Sequence, residues 1–454
     1  MMDSRSFALE NEKIGKLLFA YSLPAIIAST ASSLYNIIDR MFIGQGVGAY
    51  AISGLALTFP IMNLSVAFGT LVGAGAASIV SIRMGENKEA EATHVLGNAF
   101  VLNIIIGIIY SVLALAFLDD MLILFGASEL TLPYARDFMR VILFGNVMTH
   151  LFFGLNGIMR ASGYPLKAMV TTIITVVANL ILAPLFIYVF GWGIKGAAWA
   201  TLLSQTVGLV WVMLHFFNKD TSIRFRRGCF SLDRKIIADI FSIGMSPFLI
   251  HACSCLITIL MNLQLKEYGG DLAVGAFGII NSIVGVVVMV IFGFTQGMQP
   301  IVGFNYGARQ PERVTKALKL TVCCASIVAV AGFSLAMFFP WHIARFFTTD
   351  STLISLTIYG IRIYMMMIPV VGFQIVTSNF FQSIGKAELA IVLSLSRQVL
   401  FIIPFLIFMP KFFSLSGVWA AQPAADLLAA VVTAVTLNLF YRKSPLFNSK
   451  QIGE

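Results

Sequence analysis

The sequence predicts an all-α membrane protein with twelve transmembrane helices, arranged as two six-helix lobes related by a pseudo-two-fold axis along the membrane normal. Three observations support this fold class: an apolar composition, twelve apolar segments of membrane-spanning length, and an internal repeat. Hydrophobic residues make up 58% of the 454 residues and charged residues only 11%, whereas roughly a quarter of an ordinary soluble domain is charged. With a mean hydropathy of +0.90, the chain is expected to be an integral membrane protein.

Twelve apolar segments are each long enough, as a helix, to cross about 30 Å of hydrocarbon. In the first half they lie near residues 15–42, 50–80, 92–118, 133–159, 165–190 and 196–217. In the second half they lie near 236–264, 272–302, 313–340, 353–381, 386–409 and 416–441. We number these segments spans 1 to 12. The predicted domains are an N-terminal lobe, 1–220, and a C-terminal lobe, 221–454, with a linker at 218–234.

The two halves of the chain repeat each other at a spacing of about 222 residues. Gly196-Ala-Ala-Trp-Ala recurs as Gly417-Val-Trp-Ala-Ala, and Pro184 near the end of span 5 recurs as Pro404 in span 11. Each repeat contains six spans. Because six is an even number, both repeats enter the membrane from the same side, which makes them parallel copies. Prolines at matching positions also predict that both halves bend their helices in the same way.

The distribution of Lys and Arg predicts the orientation in the membrane. If the N-terminus is cytoplasmic, the basic residues collect in the inner loops, most densely between Lys219 and Lys235, and both termini lie inside. This asymmetry explains most of the net charge of +9. The charges are dispersed over short loops, so we expect no nucleic-acid partner. We expect the linker between the halves to be solvated.

A polar stripe on span 1 predicts an ion-coupling site. Asp39 shares a helical face with Tyr35 and Asn36, at i−4 and i−3. Spans 5 and 6 contribute Asn179 and Thr201. A carboxylate in hydrocarbon costs at least a few kcal/mol, so it must face protein or water. If the three polar faces converge, they form a buried cluster suited to a proton or a small hard cation.

The internal repeat distinguishes Asp39 from a purely architectural residue. Its counterpart, about 223 residues later, is Asn262. An acid that only held helices together would plausibly serve both halves, whereas here the titratable group occurs in the first copy alone. The alternative is that Asp39 is a structural acid that holds helices together, with its hydrogen bonds made by neighbouring groups.

A second charged pair is predicted in the C-terminal lobe. Arg397 in span 11 and Asp426 in span 12 both fall near mid-depth, because the two spans are antiparallel and of similar length. We predict an ion pair between them, with Gln398 completing a polar network. The pair has either a structural role or a role in lobe movement.

Other polar and flexible side chains are candidates for a substrate cavity. They are Asn156 of span 4 and Gln296, Gln299 and Met289 of span 8. Amide and Met side chains can line an adaptable apolar cavity, although such residues more often pack or face lipid. We predict no metal site, since the spacing of the five cysteines does not suggest one.

Several passages resemble the multidrug and toxic compound extrusion (MATE) family, in the bacterial branch that includes a staphylococcal multidrug pump. The resemblance rests on Leu34-Tyr-Asn-Ile-Ile-Asp-Arg-Met-Phe-Ile-Gly44, Met159-Arg-Ala-Ser-Gly163 and Gly191-Trp-Gly-Ile-Lys-Gly-Ala-Ala-Trp-Ala-Thr201, and it covers essentially the whole chain. It implies alternating access and efflux of cationic or amphiphilic compounds across the bacterial inner membrane. It also implies H+ or Na+ as coupling ion with no other cofactor. The expected partners are small organic cations or amphiphiles and membrane lipid, with the protein as a monomer.

The resemblance also implies a set of ion ligands, one of which is missing. Family members with an ion site in the N-terminal lobe use an Asp of helix 1, an Asn and an Asp of helix 5, and a Thr of helix 6. Three of these match Asp39, Asn179 and Thr201. The helix 5 pattern Asn-x-x-x-Asp-Pro reads here Asn179-Leu-Ile-Leu-Ala183-Pro184. The missing carboxylate puts sodium coordination in doubt and favours a proton carried by Asp39.

Three other classes are weighed against an antiporter of this family. A lipid-linked precursor flippase of the same superfamily would share the fold but should have more cations at mid-membrane depth. A major-facilitator antiporter should have a more basic loop than Arg83-Met-Gly-Glu-Asn-Lys-Glu between spans 2 and 3. An intramembrane enzyme would need a nucleophile with a base or paired acids, and no such constellation stands out. We expect a secondary transporter, not an enzyme.

Overall fold

The computed structural model describes residues 4–444, without the side chains of residues 4–7, 36, 37, 49 and 271, and these residues form sixteen α-helices and no strand. The first half contains α1 (Ser4–Asn11), α2 (Ile14–Gly46), α3 (Ala49–Gly85), α4 (Glu89–Ala116), α5 (Leu118–Leu124), α6 (Leu132–Phe144), α7 (Asn146–Ala161), α8 (Pro165–Pro184) and α9 (Gly193–Phe217). The second half contains α10 (Arg234–Gly307), α11 (Pro311–Phe338), α12 (Pro340–Phe347), α13 (Ser351–Tyr364), α14 (Ile368–Ser383), α15 (Ala387–Leu395) and α16 (Ile403–Lys443). π-Helical turns follow α8 and α15, at Leu185–Val189 and Ser396–Ile402.

The described helices account for twelve membrane crossings. Nine helical segments are long and apolar enough to cross a membrane, and two bent helix pairs bring the number to eleven. One of the nine, Ala387–Lys443, has 57 residues and would be about 85 Å long as a straight helix, far more than one bilayer. It is divided at Ser414, where φ is 48° and ψ is −134°, and therefore supplies two crossings. All twelve predicted spans are present.

The longest helix, α10, is likewise two spans. Gly270 has φ 72° and ψ −174°, a conformation that residues with a Cβ rarely adopt. It separates the crossing Arg234–Gly270 from Leu272–Gly307. A glycine at this position allows two long helices to follow each other with no intervening loop.

Spans 4 and 10 are bent, which the sequence analysis does not predict. Span 4 consists of α6 and α7, inclined by 57° at Gly145, and span 10 consists of α13 and α14, inclined by 54°. In span 10, α14 starts with Pro369 in its first turn, where a proline fits because its missing N–H has no intrahelical partner. The two bends lie about 222 residues apart, so the bend belongs to the repeated unit.

Two compact units emerge from the contacts within the chain. The first holds the residues up to Asn11 and Ile27–His251, and the second holds Glu12–Ile26 and the residues from Ala252 onward. The division cuts through α2 and α10, not through the linker. The predicted lobe boundary at 220/221 stays a prediction.

Close helix approaches explain why the starts of α2 and α10 join the unit of the other half. In the first unit, a Cβ on Gly244 of α10 would overlap the carbonyl oxygen of Leu71 on α3. In the second unit, a Cβ on Gly297 would overlap Ser22 of α2. Small residues let helix backbones approach this closely in membranes. Each half thus packs the beginning of its first helix into the unit formed mainly by the other half.

The linker packs on the first unit at a few apolar positions, while most of its residues are exposed, as expected of a solvated linker. Ile223 and Cys229 are each 2% exposed. The side chain of Asn98 on α4 donates to the carbonyl of Ser231 at 3.0 Å and accepts from the N–H of Asp233 at 2.9 Å. Rings from α4, α9 and the linker form one aromatic cluster: Phe100, Phe216, Phe217, Phe225 and Phe230. Apolar burial and two hydrogen bonds between the Asn98 side chain and the linker backbone therefore hold this segment in place.

Candidate functional site

Asp39 lies in α2 as a buried acid, and one of its two carboxylate oxygens has no hydrogen-bonding partner among the described residues. It is 9% exposed, and its Oδ1 has no partner within the part of the chain that the structure describes. Tyr35, one turn earlier, lies within electrostatic range of this carboxyl group. The side chain of Asn36 lies outside the described residues. Buried polar atoms are usually hydrogen-bonded, so this oxygen is available to a ligand, and the role of Asp39 in ion coupling stays a prediction.

Asn179 and Thr201 are brought together by the packing of α8 against α9. The Asn179 Nδ2 donates to Thr201 Oγ1 at 3.3 Å, and the Thr201 hydroxyl donates to the carbonyl of Ala197 at 3.1 Å. The two residues are 2% and 8% exposed. The Asn179 Oδ1 is a second buried acceptor without a donor among the described residues. Neither residue is hydrogen-bonded to Asp39, so the structure joins two of the three polar faces directly.

The end of α2 is held against the π-helical turn that follows α8. The Tyr188 hydroxyl donates to the carbonyl of Phe42 at 3.1 Å. A Cβ on Gly46 would come within 2.7 Å of the Tyr188 ring. Ala183 lies one turn beyond Asn179 and is fully buried. A carboxylate at this position would therefore be desolvated within the same unit as Asp39.

A further polar cluster of the first unit was not predicted as a group. Ser65 Oγ on α3 donates to Asn146 Oδ1 at 2.6 Å and lies 3.1 Å from His150 Nε2. Nearby on α7, the Thr149 hydroxyl donates to Gln205 Oε1 of α9 at 2.5 Å. The signal in the sequence is the i, i+4 spacing of Asn146 and His150, which places them on one face. These bonds tie α3, α7 and α9 together.

The charged pair of the second unit forms a single ionic hydrogen bond. Arg397 Nε, in the π-helical turn, donates to Asp426 Oδ1 of α16 at 2.8 Å, and the side chains are 22% and 2% exposed. Gln422 Nε2 donates to both carboxylate oxygens of Asp426, at 3.2 and 3.3 Å. Gln398 makes no hydrogen bond to the pair within the described ranges, so its expected part in the network is wrong. Gln398 directly follows Arg397, and adjacent residues of a helix point in different directions. Gln422 and Asp426 are four residues apart and therefore share one helical face.

The residues predicted for a substrate cavity are distributed over the two units. Asn156 of α7 is 9% exposed, and its Nδ2 donates weakly to Thr172 Oγ1 at 3.5 Å. Gln296, Gln299 and Met289 are half-buried on α10. Asn156 belongs to the first unit and the other three to the second. Their role stays a prediction. Between residues 4 and 444, no group of three or more His, Cys, Asp or Glu could hold a metal ion.

A comparison with known families accounts for both halves of the chain. The sequence profile of the MatE family matches residues 24–185 and 247–436, which are the two predicted repeats. The chain belongs to the MatE family. It is therefore a MATE transporter by family and not an enzyme, and the resemblance seen in its motifs is confirmed.

Individual MATE relatives match along nearly the whole length. The Multidrug export protein MepA of Staphylococcus haemolyticus (strain JCSC1435) is 25% identical over 440 residues, covering 97% of each chain. Its namesake in Staphylococcus aureus (strain NCTC 8325 / PS 47) is 25% identical over 430 residues, covering 94% of this chain and 95% of its own. A solved structure described as the outward-facing conformation of a multidrug resistance MATE family transporter of the MOP superfamily superimposes with a TM-score of 0.91. It shares 25% identity and covers 98% of this chain and 100% of its own. The predicted fold class is confirmed.

Proposed function

We propose that this MATE protein is a proton-coupled antiporter that exports amphiphilic or cationic organic compounds by alternating access. The observation that carries this proposal is Asp39, a membrane-embedded acid with an unpartnered oxygen. Its repeat counterpart is the neutral Asn262. A charged carboxylate at this depth is costly, and a bound proton or an organic cation would each relieve that cost. Two ligands that relieve the same cost compete, and such competition is the basis of exchange.

The residues around Asp39 favour a proton over sodium. The family's helix 5 acid is replaced by the buried Ala183, and the oxygens offered by Asn179 and Thr201 are uncharged. A proton needs one oxygen, whereas a hard cation needs several oxygen ligands at once. A single carboxylate therefore suits proton exchange better than sodium binding.

The relatives support export of small organic compounds. The staphylococcal proteins are named for multidrug export, and this protein matches them along almost its entire length. The same relatives disfavour a lipid-linked precursor flippase. Purified protein in vesicles separates the two, because only an antiporter takes up a fluorescent organic cation in response to an imposed ion gradient, and only a flippase moves lipid between leaflets.

The proposed orientation places both termini on the cytoplasmic side of a bacterial inner membrane, with the linker inside and the acidic first turn of α5, which contains Asp119 and Asp120, outside. We expect a membrane-impermeant maleimide to label an Asp120→Cys variant in intact cells, and an Arg227→Cys variant only after permeabilisation. Both positions are exposed, and the native cysteines are first replaced by serine. Labelling of both positions from the same side would contradict the topology.

Ala183→Asp should change the ion preference. Asn179 and position 183 lie one helical turn apart, so the new carboxylate adds a second charge to the same face. Two buried carboxylates repel each other unless a cation bridges them. We expect wild type to respond to a proton gradient alone, and the variant to gain sodium-dependent binding or transport at fixed pH.

Sodium titration of both purified proteins measures this difference, with Ala183→Asn as the matched control of similar size and no charge. Tight sodium binding by wild type would contradict the assignment of the proton. Sodium binding gained equally by Ala183→Asn would show that the charge is not responsible.

A further inference from the structure

We propose that Arg397 is a binding site for the anionic group of a zwitterionic substrate, with the carboxylate of an organic zwitterion as the ligand. This inference rests on the proposed export function and specifies one class of compound that is exported. It concerns the second unit alone.

The hydrogen bonds of Arg397 leave most of its donors unused. A guanidinium has five N–H donors, and Arg397 uses only the one on Nε, for Asp426. The four N–H groups on Nη1 and Nη2 have no acceptor among residues 4–444. Arg397 lies within the long apolar stretch Ala387–Lys443. Since unpaired guanidinium donors facing lipid hydrocarbon are costly, we infer that they face water or a ligand inside the protein.

The geometry of the pair differs from that of a purely structural ion pair. A buried ion pair repays the cost of desolvating its charges only when its geometry is excellent, and strong Arg–carboxylate pairs are frequently bidentate. Here the contact is single, and the arginine is 22% exposed while the aspartate is only 2% exposed. Gln422 holds both oxygens of Asp426. The acid is thus fixed as an anchor, and the guanidinium extends from it.

The free edge of the guanidinium matches a carboxylate. Nη1 and Nη2 present parallel N–H bonds in a fixed plane, which a carboxylate can accept with its two oxygens. Asp426 already balances the charge of Arg397. Selectivity for a carboxylate therefore comes from the parallel N–H groups of the guanidinium, which we call the fork, and not from net charge. Tyr364, 8% exposed, lies within electrostatic range of both charged groups. The centroid of its ring lies 5.9 Å from that of Phe277, in an edge-to-face arrangement.

The internal repeat shows that the fold does not require this pair. With Pro184 aligned to Pro404, the counterpart of Arg397 is Val177. With Gly196 aligned to Gly417, the counterpart of Asp426 is Gln205, an amide whose oxygen is occupied by Thr149. The first half therefore packs the equivalent helices without any charge. A pair present in one copy only is better explained by recognition than by architecture.

Two dyes that differ in one group test the proposal: rhodamine 19, a zwitterion with a free carboxylate, and its ethyl ester rhodamine 6G, a cation. Fluorescence anisotropy of each dye with purified protein gives two dissociation constants and needs no ion gradient. We expect Arg397→Lys to raise the constant for rhodamine 19 about tenfold or more relative to that for rhodamine 6G, because it keeps the charge but loses the fork. The double variant Arg397→Gln/Asp426→Asn, which removes both charges while keeping polar side chains, should do the same.

A purely structural role would shift the constants of both dyes together or leave both unchanged, and either result in both variants would overturn the proposal. Failure of wild type to bind rhodamine 19 would also overturn it. The test is independent of the coupling ion. If an Asp39 variant still coupled transport to protons, the proposed coupling would fail while the loss of rhodamine 19 binding at Arg397 would stand.

Discussion

Asp39→Asn should abolish proton-driven export while the protein is still inserted and folded. Asparagine keeps the size and the hydrogen-bonding shape of the side chain but cannot exchange a proton. Asp39 accepts no hydrogen bond at Oδ1 from the described residues, so the substitution breaks no hydrogen bond at that oxygen. We expect dye uptake into vesicles with an imposed pH gradient to fall to the level of vesicles without protein.

The repeat supplies the matched control. Asn262 occupies the position of Asp39 in the second half, so Asp39→Asn/Asn262→Asp restores the number of carboxylates at the wrong place. We expect this double variant to stay inactive, because the proposed site needs the acid in the first unit, which also holds Asn179 and Thr201. Normal export by Asp39→Asn, or rescue by the second substitution, would refute the assignment.

Arg397→Gln should strongly destabilise the second unit. It leaves the Asp426 carboxylate, 2% exposed, with only the amide of Gln422 as a partner. Removing one member of a buried ion pair typically costs about 3–5 kcal/mol, because the remaining charge stays desolvated and uncompensated. We expect a clearly lower temperature of thermal aggregation in detergent than for wild type.

Removal of both charges is the control for this loss. Arg397→Gln/Asp426→Asn leaves no uncompensated ion, and replacing both partners of a buried pair is often close to neutral. We expect its aggregation temperature to return close to that of wild type. Equal stability of Arg397→Gln and wild type would show that Asp426 is solvated or protonated without its partner.

The number and order of the membrane spans could be predicted because they depend on composition and length. Hydropathy averaged over about 20 residues identifies an apolar segment but not a change of direction within it. The bends at Gly145 and before Pro369 fall inside segments whose average hydropathy is high, so their sequences predict straight spans 4 and 10. The short helices α5 and α12 begin where predicted spans 3 and 9 end, and the sequence did not predict them.

The site residues were predictable where the cost of burying charge decides their position. Arg397 and Asp426 are each expensive alone at mid-depth, and this cost predicts the contact between them. Their neutral partner was not predictable by the same argument, since Gln422 and Gln398 have the same chemistry and only the helical register separates them. The contacts of the linker were not predictable from the linker alone, because Phe225 and Phe230 meet Phe100 of α4 only in the fold.

Proton release on substrate binding tests the central claim, that one proton on Asp39 is exchanged for a cationic substrate. Purified protein in weakly buffered detergent solution is mixed with a saturating organic cation that does not titrate near neutral pH, and the pH change is recorded. Because binding of substrate and proton is reciprocally linked, we predict that wild type releases up to one proton per substrate bound, and that Asp39→Asn releases none while still binding the cation. Equal proton release by wild type and Asp39→Asn would contradict this account.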